Sequence, residues 1–394
     1  MKALVIAPQP FFTPRGTPFS VYYRTLISSE LGVNIDFLTY GEGQDVQIPN
    51  VTIYRIPRFK LFGNVKIGPS FLKLFLDFFL IIKMLRLLLT NKYDLVHAHE
   101  ESVFFAYFFK SFFRYKLIYD MHSSLPQQLT NFKFTTSKTL INIFKKMEDA
   151  CLRSADAIIT ICPDLYNYVN TIITDKEKHF LIENSIFDKV NLKEANREAE
   201  DGQKQDLDLL KIPENKKVIV YAGTLEKYQG IDILISAFPD VIKNIPDSLL
   251  LIVGGTKDQV DSYIQLTEKL GVKESVIFTG RVPQQAAKYY TAIADVLASP
   301  RSAGTNTPLK IYEQLASGKP LVATKIYSHT QVLTDNVAFL VEPEPSKVAD
   351  GLIHALNSNG MVKQKVENAI KLYEEKYSRK IYKQKLSNLL RLLK

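Results

Sequence analysis

Short apolar runs alternate with helix-length segments along the whole chain, and this alternation limits the fold more than any other feature of the sequence. The runs are nearly continuous in apolar residues, which is typical of strands that are buried on both faces. Such strands form parallel sheets that helices cover, so the repeated β-α units predict a doubly wound α/β fold. The predicted strands are residues 3–7, 34–38, 51–55, 95–98, 117–120, 157–160, 180–183, 218–221, 249–253, 276–279, 296–299, 321–323 and 339–341.

The chain's 394 residues exceed the ~100–200 residues of one ordinary domain, so we expect two domains. A polar stretch that is poor in apolar residues interrupts the pattern over residues 190–214. We therefore predict a Rossmann-like domain over residues 1–190, a linker over 191–214 and a second Rossmann-like domain over 215–375. Two such sheets that face each other across a cleft bind ligands beyond the carboxyl ends of their strands.

Composition places the chain among ordinary globular proteins, since 46% of its residues are apolar and 23% are charged. The two cysteines, Cys151 and Cys162, cannot build a disulfide framework, so a reducing cytoplasm is the expected compartment. At the N-terminus a run of only five apolar residues, 3–7, precedes Pro8. This run is too short for a signal peptide and is predicted to form a first strand.

Positive charge and aromatic side chains are concentrated in one part of the sequence. Residues 51–116 hold 11 Lys and Arg against 4 Asp and Glu, together with 16 of the 44 Phe and Tyr residues. Basic surfaces of this kind bind nucleic acids or anionic membranes, and nothing in the chain resembles a nucleic-acid-binding module. We therefore expect an anionic membrane surface as a partner and no nucleic acid. Lysines solvated around an ordinary core are the alternative.

Residues 71–89 contain 15 apolar residues and are long enough to suggest a membrane span. The sequence places four charged side chains within them, namely Lys73, Asp77, Lys83 and Arg86. A charge at the bilayer centre costs ~2.5–3.5 kcal/mol, which argues against a span. We expect instead a helix that packs on the sheet or lies in the membrane interface. Residues 102–113, where aromatic side chains surround Lys110, have the same character.

The segment 299–324 carries the most specific pattern. A strand ends at Pro300, a small polar loop follows, and a helix is predicted to begin near Thr307 and Pro308. The free N–H groups and the dipole at such a helix start make an anion site that suits a phosphate. Glu313 lies about one and a half turns into this helix, where its carboxylate would reach a ribose diol. The alternative is that Glu313 is an ordinary polar helix residue.

This segment resembles the donor-binding region of the family-4 glycosyltransferases, which have the GT-B fold. In that family a small loop leads into Glu-x7-Glu and then into Ala-x-Gly-x-Pro-Val. Here Glu313 matches the second glutamate and residues 316–322 match the tail, whereas Thr305 replaces the first glutamate.

Residues 221–230 resemble the family's turn that holds the donor diphosphate, with Thr224 and Gln229 in place of the usual arginine and lysine. A buried diphosphate without cations is costly. Four residues are candidates to compensate, with Arg301 first because it lies on the same loop as Thr305, followed by Lys227, Arg281 and Lys310.

The resemblance continues in the right order over nearly the whole chain. Residues 251–255 match the next strand and turn, and 278–283 match the segment around the nucleotide base. Three matches lie earlier in the chain. Residues 14–18 match a loop that approaches the donor phosphates, and residues 120–122 match a strand end that carries the acceptor domain's histidine. Residues 182–188 match the run that closes the first domain. The final segment, 376–394, looks like the helix that crosses back to the first domain.

The resemblance implies a metal-independent, retaining hexosyltransferase that moves a sugar from a UDP or GDP sugar to a hydroxyl of a lipid-linked or polysaccharide acceptor. It implies no cofactor and no metal. Together with the cysteine usage, the basic and aromatic stretch 51–116 adds the expectation of a cytoplasmic enzyme that is peripheral on the inner face of the cell membrane. The implied catalytic residues are His122 and Glu313. The implied donor-binding residues are Arg15, Gly16, Thr17, Gly223, Thr224, Lys227, Arg281, Val282, Arg301, Thr305, Asn306, Thr307, Leu309, Lys310 and Glu313.

Alternatives stay open for single residues and for the whole chain. His122 is a satisfied strand-end histidine unless it faces the cleft and contacts the donor sugar or stabilises developing positive charge. His97 and His99 share a strand face and are metal-ligand types, but the sequence reveals no third ligand. A sugar-nucleotide epimerase of the same fold, or a non-catalytic binding protein derived from a glycosyltransferase, would bind the donor without the transfer reaction.

Overall fold

The computed structural model of the chain describes residues 1–13, 16–59, 65, 70–131, 137–183, 212–213, 215–357 and 360–394. These residues form two compact units. Residues up to 183 and Arg379–Lys394 make the first unit, and residues 212 to 378 make the second. The predicted linker at 191–214 lies outside the described residues apart from 212–213, and so does Arg15.

In its described part the first unit is built on a seven-stranded sheet with the order β3-β2-β1-β4-β5-β6-β7. Its strands are β1 (Lys2–Ala7), β2 (Asn34–Thr39), β3 (Val51–Arg55), β4 (Leu95–His99), β5 (Lys116–Met121), β6 (Ala157–Thr160) and β7 (His179–Leu181). Its first helices are α1 (Gly16–Glu30), α2 (Phe71–Thr90), α3 (Ser102–Phe113), α4 (Leu125–Asn131), α5 (Lys138–Ser154) and α6 (Pro163–Asn170).

The second unit holds, within the same described residues, a six-stranded sheet with the order β10-β9-β8-β11-β12-β13. Its strands are β8 (Lys217–Ala222), β9 (Ser248–Val253), β10 (Val276–Gly280), β11 (Val296–Ser299), β12 (Leu321–Thr324) and β13 (Phe339–Val341). Its helices are α7 (Ile231–Asn244), α8 (Lys257–Lys269), α9 (Gln284–Ile293), α10 (Leu309–Ala316), α11 (Tyr327–Thr330), α12 (Pro345–Leu356) and α13 (Gly360–Lys376). Short 3₁₀ turns lie at Lys227–Gln229 and Lys273–Ser275.

The strands confirm the prediction of doubly wound parallel sheets. Each predicted strand is present, with ends that differ by at most two residues, and the pairings between these strands are parallel. In each sheet the order reverses beside the first strand, between β1 and β4 and between β8 and β11. Ligands of such sheets bind at this switch point, beyond the carboxyl ends of the strands.

Local sequence explains where several helices begin. The Ser70 hydroxyl accepts a hydrogen bond from the Lys73 N–H at 3.2 Å, which caps α2. Thr256 and Gln259 form a reciprocal capping box at the start of α8. Pro345 opens α12, where its missing N–H costs nothing.

The last helix, α14 (Arg379–Leu392), belongs to the first unit, in agreement with the predicted return of the chain to that unit. It packs on α1, where the Glu30 carboxylate pairs with Arg379 and, at 3.1 Å, with Lys383. Lys385 pairs with Glu183 at 2.8 Å. The segment that returns begins at Arg379 and not at residue 376, because α13 continues to Lys376 within the second unit.

Helices α2 and α3 are only partly buried, although both are strongly apolar. Five residues of α2 enter the core, namely Leu76, Leu80, Met84, Leu87 and Leu88. Other large apolar side chains are exposed, including Phe71, Leu74, Phe78 and Ile82 of α2 and Tyr107, Phe108 and Phe112 of α3. In the part of the chain that the structure describes, no helix combines the length and the apolar character needed to cross a membrane.

Candidate functional site

Glycines line the carboxyl ends of three neighbouring strands of the second unit. The Gly223 N–H donates to the Val253 carbonyl, and the Gly254 N–H donates to the Gly280 carbonyl, each at 2.9 Å. A Cβ on Gly254 would lie 2.0 Å from the Gly223 carbonyl oxygen. The backbones of these two turns therefore pack against each other more closely than a side chain at Gly254 would allow.

The turn after β8 and the loop after β11 pack against each other. The Ser302 N–H donates to the Tyr228 carbonyl at 2.9 Å, and the Arg301 guanidinium lies 5.0 Å from the centroid of the Tyr228 ring. Gly230 has a φ of +69°, and a Cβ there would lie 2.0 Å from the Pro300 carbonyl oxygen. Two segments that the sequence analysis assigned to the donor diphosphate are thus in direct contact.

Arg301 folds back onto its own loop. Its Nε donates to the Ala303 carbonyl at 2.7 Å and its Nη1 donates to the Asn306 carbonyl at 3.1 Å. Gly304 makes this possible, because its φ is +120° and a Cβ would lie 2.4 Å from Arg301 Nη2. Burial lowers the pKa of Arg301 from its ordinary value. The guanidinium therefore shapes the loop as well as giving it positive charge.

Lys310, in the first turn of α10, carries a buried ammonium group. Its Nζ lies 3.9 Å from the centroid of the Tyr221 ring, and no described residue accepts a hydrogen bond from it. The hydroxyl of Tyr221 in turn donates to the Thr224 carbonyl at 2.6 Å. A Cβ on Gly223 would lie 3.6 Å from Lys310 Nζ, so the lysine stands beside the glycine turn. Burial, reinforced by Arg301, lowers the pKa of Lys310 to about 7.

Thr307, like Lys310, carries a buried polar group without a hydrogen-bond partner. The group is its hydroxyl, and no described residue pairs with it. Buried polar groups normally find partners, so unsatisfied ones need an explanation. A hydroxyl and an ammonium group without acceptors, beside a glycine turn and a helix start, suit a bound anion.

Glu313 lies further along α10, and burial raises its pKa to about 7 against the opposing attraction of Lys288 on α9. Val282 lies between β10 and α9 and is partly buried. Leu309 is the first residue of α10. The other predicted donor residues of this unit, Thr224, Lys227, Arg281 and Thr305, are exposed. The Thr305 carbonyl accepts a hydrogen bond from Gln331.

In the first unit the predicted histidine, His122, belongs to a buried polar cluster around Asp120 at the end of β5. The Asp120 carboxylate lies 3.0 Å from Arg24 Nε and 3.0 Å from His97 Nε2. His122 Nε2 lies 3.3 Å from Asp120 Oδ1 and 3.1 Å from His99 Nδ1. The rings of His97 and His99 stack with centroids 4.5 Å apart.

Opposing forces set the charges in this cluster. Burial by itself raises the pKa of Asp120, but attraction to Arg24, His122 and His99 holds that pKa well below its ordinary value. Burial lowers the pKa of His122 to about 4 despite the attraction of Asp120, and Arg24 and His97 lower it further. Burial also brings the pKa of His99 well below its usual range. Near neutral pH the Asp120 carboxylate therefore lies beside the neutral imidazoles of His99 and His122.

Asp120 is the third side chain of a metal-ligand type beside His97 and His99, and the sequence did not reveal it. Ligand-type atoms of these three side chains lie within 4.8 Å of one another. Arg24 already pairs with the same carboxylate oxygen, Oδ2 of Asp120, at 3.0 Å. A cation bound there would lie next to a buried guanidinium, so this group of side chains fits a metal ion poorly.

The structure divides the predicted site residues between the two units. Gly16 and Thr17 start α1, and His122 follows β5, all in the first unit, whereas Gly223 to Glu313 belong to the second. Sequence reasoning missed Arg24, whose side chain is 1% exposed. A signal existed, because Arg24 follows Val21, Tyr22 and Tyr23 in a largely apolar stretch.

Two family profiles match the sequence. One is described as Glycosyltransferase Family 4 and matches residues 28–187, and the other is described as Glycosyl transferases group 1 and matches residues 202–372. Together they span most of both units.

Among curated proteins, the chain is similar to an uncharacterized glycosyltransferase of Methanocaldococcus jannaschii, with 25% identity over 75% of this chain and 74% of that protein. A shorter match links it to the GDP-mannose-dependent α-(1-6)-phosphatidylinositol monomannoside mannosyltransferase of Mycolicibacterium smegmatis. That match is 34% identical over 28% of this chain and 30% of the relative.

Solved structures share the fold over almost the whole chain. Sucrose-phosphate synthase from Thermosynechococcus elongatus superposes with a TM-score of 0.75 at 18% identity, covering 99% of this chain and 98% of that one. HepE from Anabaena, solved in complex with UDP, superposes with a TM-score of 0.71 at 17% identity, covering 99% of this chain and 100% of that one. These likenesses confirm the predicted GT-B architecture.

Proposed function

Because this chain belongs to the family-4 glycosyltransferases of the GT-B fold, we propose that it is a retaining, metal-independent hexosyltransferase. Its donor would be a nucleotide-diphosphate sugar, either a UDP or a GDP sugar. Its acceptor would be a hydroxyl of a lipid-linked sugar or a growing polysaccharide. The second unit would bind the donor, and the first unit would bind the acceptor.

The observation that carries this proposal is the set of unsatisfied polar groups beside the glycine turn. Lys310 Nζ and Thr307 Oγ1 are buried without hydrogen-bond partners among the described residues, and the lysine lies beside the Gly223 turn. A diphosphate supplies the acceptors and the negative charge that these groups lack. The UDP bound to the structurally similar HepE supports the same class of ligand.

Each proposed residue has a defined task in transfer. Lys310, Thr307 and Arg301 would stabilise the negative charge that develops on the leaving diphosphate, in a site that is already organised before the reaction. Glu313 would accept hydrogen bonds from the ribose hydroxyls, and Val282 would lie against the base. Gly16 and Thr17 would approach the phosphates.

The expected course follows the family's usual mechanism. The acceptor hydroxyl attacks from the face that the diphosphate leaves, and the leaving phosphate takes the acceptor's proton. His122, neutral near pH 7 because burial lowers its pKa to about 4, would contact the donor sugar and accept a hydrogen bond or stabilise developing positive charge. This course needs no pair of catalytic carboxylates.

Incubation with UDP and GDP sugars and with lipid-linked acceptors tests the proposal. We expect a glycosylated acceptor whose new bond has the anomeric configuration of the donor, read from the proton coupling constants. An inverted product would overturn the retaining mechanism. A donor that is converted into its epimer without any acceptor would instead identify the epimerase alternative.

A non-catalytic role is the second candidate, favoured by the neutral residues at three family positions. Thr224, Gln229 and Thr305 of this chain match the positions at which the family's pattern has an arginine, a lysine and a glutamate. Tight donor binding with neither transfer nor hydrolysis, across a full acceptor panel, would support this role.

We further propose that α2, α3 and α5 form a face that docks on an anionic membrane. These helices are neighbours, and their exposed side chains include Phe78, Phe108 and Phe112 together with Ile143 and Met147 of α5. The surplus of basic residues in 51–116 gives this part of the chain the charge that attracts anionic lipids. The lipid acceptor named for the M. smegmatis relative supports a membrane-bound substrate.

A further inference from the structure

The buried pair of Arg24 and Asp120 has no evident role in binding a donor, yet it lies at the end of the strand that leads to His122. Both side chains are at most 1% exposed, and Arg24 Nε lies 3.0 Å from Asp120 Oδ2. Arg24 also donates from Nη2 to the Ile182 carbonyl at 3.3 Å. A buried ion pair is costly to desolvate, so its presence needs a reason other than stability.

A contact from the C-terminal helix reaches this pair. The guanidinium carbon of Arg24 lies 5.2 Å from the centroid of the Tyr382 ring, which is buried on α14. Helix α14 is fixed to α1 by the ion pairs of Arg379 and Lys383 with Glu30. A continuous series of contacts therefore runs from α14 through Arg24 and Asp120 to His122.

The groups that face His122 come from three elements of the first unit. Asp120 lies on β5, the strand that leads to His122, whereas His97 and His99 project from β4 and Arg24 from α1. Glu100, which follows β4, is a further negative group close to Asp120. Asp120 favours a charged His122 and Arg24 opposes it, so the placement of the guanidinium decides how strongly the carboxylate acts on the imidazole.

We propose that Arg24 and Tyr382 are positioning residues that hold Asp120, and through it the ring of His122, in one orientation. The last helix of the chain would thereby control a residue of the acceptor side. This inference rests on the proposed function, since it assigns His122 a part in sugar transfer. The ring of Tyr382 is the component that can be removed without burying an unpaired charge.

The test uses the full-length protein and side-chain NMR of its six histidines, with the His122 signal assigned from His122→Gln. In Arg24→Met we expect the pKa of His122 to rise by about 1–3 units, because the opposing cation is gone. Since Arg24→Met can fail to fold, Tyr382→Leu provides a second measurement. We expect that variant to raise the pKa of His122 by about half a unit to one unit.

Two further variants separate positioning from general damage. Tyr382→Phe keeps the ring over the guanidinium and should restore the wild-type titration of His122. Leu392→Ala changes an exposed residue of the same helix and should leave the titration unchanged. With an active donor and acceptor, Tyr382→Leu should lower kcat about tenfold while the KM for the donor stays the same.

The titration of His122 does not depend on catalysis, so the two proposals fail separately. A His122 pKa that is unchanged in Tyr382→Leu and in folded Arg24→Met would overturn the positioning role even if sugar transfer is demonstrated. Shifted titrations in a protein without transferase activity would support the contacts and contradict the proposed function.

Discussion

Lys310 is the residue on which the donor site depends most. A lysine that is buried over an aromatic ring, with no acceptor among the described residues, has lost the hydration that favours its charged form. Its pKa of about 7 places the change of charge near physiological pH. A bound diphosphate would raise that pKa again, because opposite charges at short distance stabilise each other.

We therefore predict that donor binding takes up a proton at Lys310. Below about pH 6 the lysine of the free protein is already charged, so no uptake is needed. Above about pH 7 each binding event must first protonate it, and affinity should fall by up to about tenfold per pH unit. Calorimetry at pH 8 in HEPES and in Tris, whose ionisation enthalpies differ, measures the proton count.

Glu313 titrates in the same range with the opposite effect on affinity. Its pKa of about 7 means that the carboxylate, which would accept the ribose hydroxyls, forms as the pH rises. The variant Lys310→Met isolates the effect of Glu313 on donor affinity. The affinity of this variant should increase with pH, and donor binding to it should take up no proton. Equal proton uptake by the wild type and Lys310→Met would contradict the assignment to Lys310.

At the level of elements, the donor site is formed by a turn and a loop that hold each other in place. Gly230 and Gly271 both have a φ of +69°, but only Gly230 faces a neighbour, the Pro300 carbonyl. Substituting these two glycines therefore separates two free-energy costs. Both substitutions strain the left-handed backbone, and only the one at Gly230 adds a clash with the Pro300 carbonyl.

We predict that Gly230→Ala destabilises the protein by at least ~2 kcal/mol more than Gly271→Ala, because overpacking adds to the strain of a left-handed residue. Urea unfolding gives the two free energies. Gly230→Ala should also weaken donor binding at temperatures where the protein is folded, since the loop of Arg301 must move. Equal stabilities of the two variants would show that the turn and the loop do not constrain each other.

The exposed face of α3 gives a second prediction at this scale. Wild-type protein should co-sediment with vesicles that contain about 30% phosphatidylglycerol, less with pure phosphatidylcholine, and less at high salt. The double variant Phe108→Ser and Phe112→Ser removes two side chains that are 64% and 73% exposed, and we expect at least about tenfold weaker binding.

Met361→Ser is the control for this experiment, since Met361 is 62% exposed in the second unit. It should bind vesicles like the wild type. If the wild type binds none of the vesicles at any salt concentration, the proposed docking of this face on an anionic membrane is wrong.

For the molecule as a whole, the sequence predicted the framework better than the polar clusters. The strands were predictable because runs such as 249–253 are apolar throughout, and a local pattern suffices to recognise a strand that is buried on both faces. The family resemblance assigned segments 221–230 and 299–324 to the same donor, but the sequence did not predict the contacts between them.

The cluster around Asp120 was not predictable, because its members come from α1, β4, β5 and α14. No local pattern relates Arg24 to Asp120 or to Tyr382, and their proximity follows from the order of the strands and from the return of the last helix. Sequence reasoning recognised His97 and His99 as a pair. It had no means of finding that the Asp120 carboxylate of β5 contacts both His97 and Arg24.

The central claim is that the second unit binds the diphosphate of a sugar nucleotide at Lys310 and Arg301. Isothermal titration calorimetry at pH 7 with UDP, GDP and ADP sugars tests it most directly, using the wild type, Lys310→Met and, as a surface control, Lys347→Met. We predict that at least one sugar nucleotide binds the wild type and Lys347→Met alike, and binds Lys310→Met about 10–100-fold more weakly. Absence of heat with every sugar nucleotide, or equal affinity in all three proteins, would contradict the account.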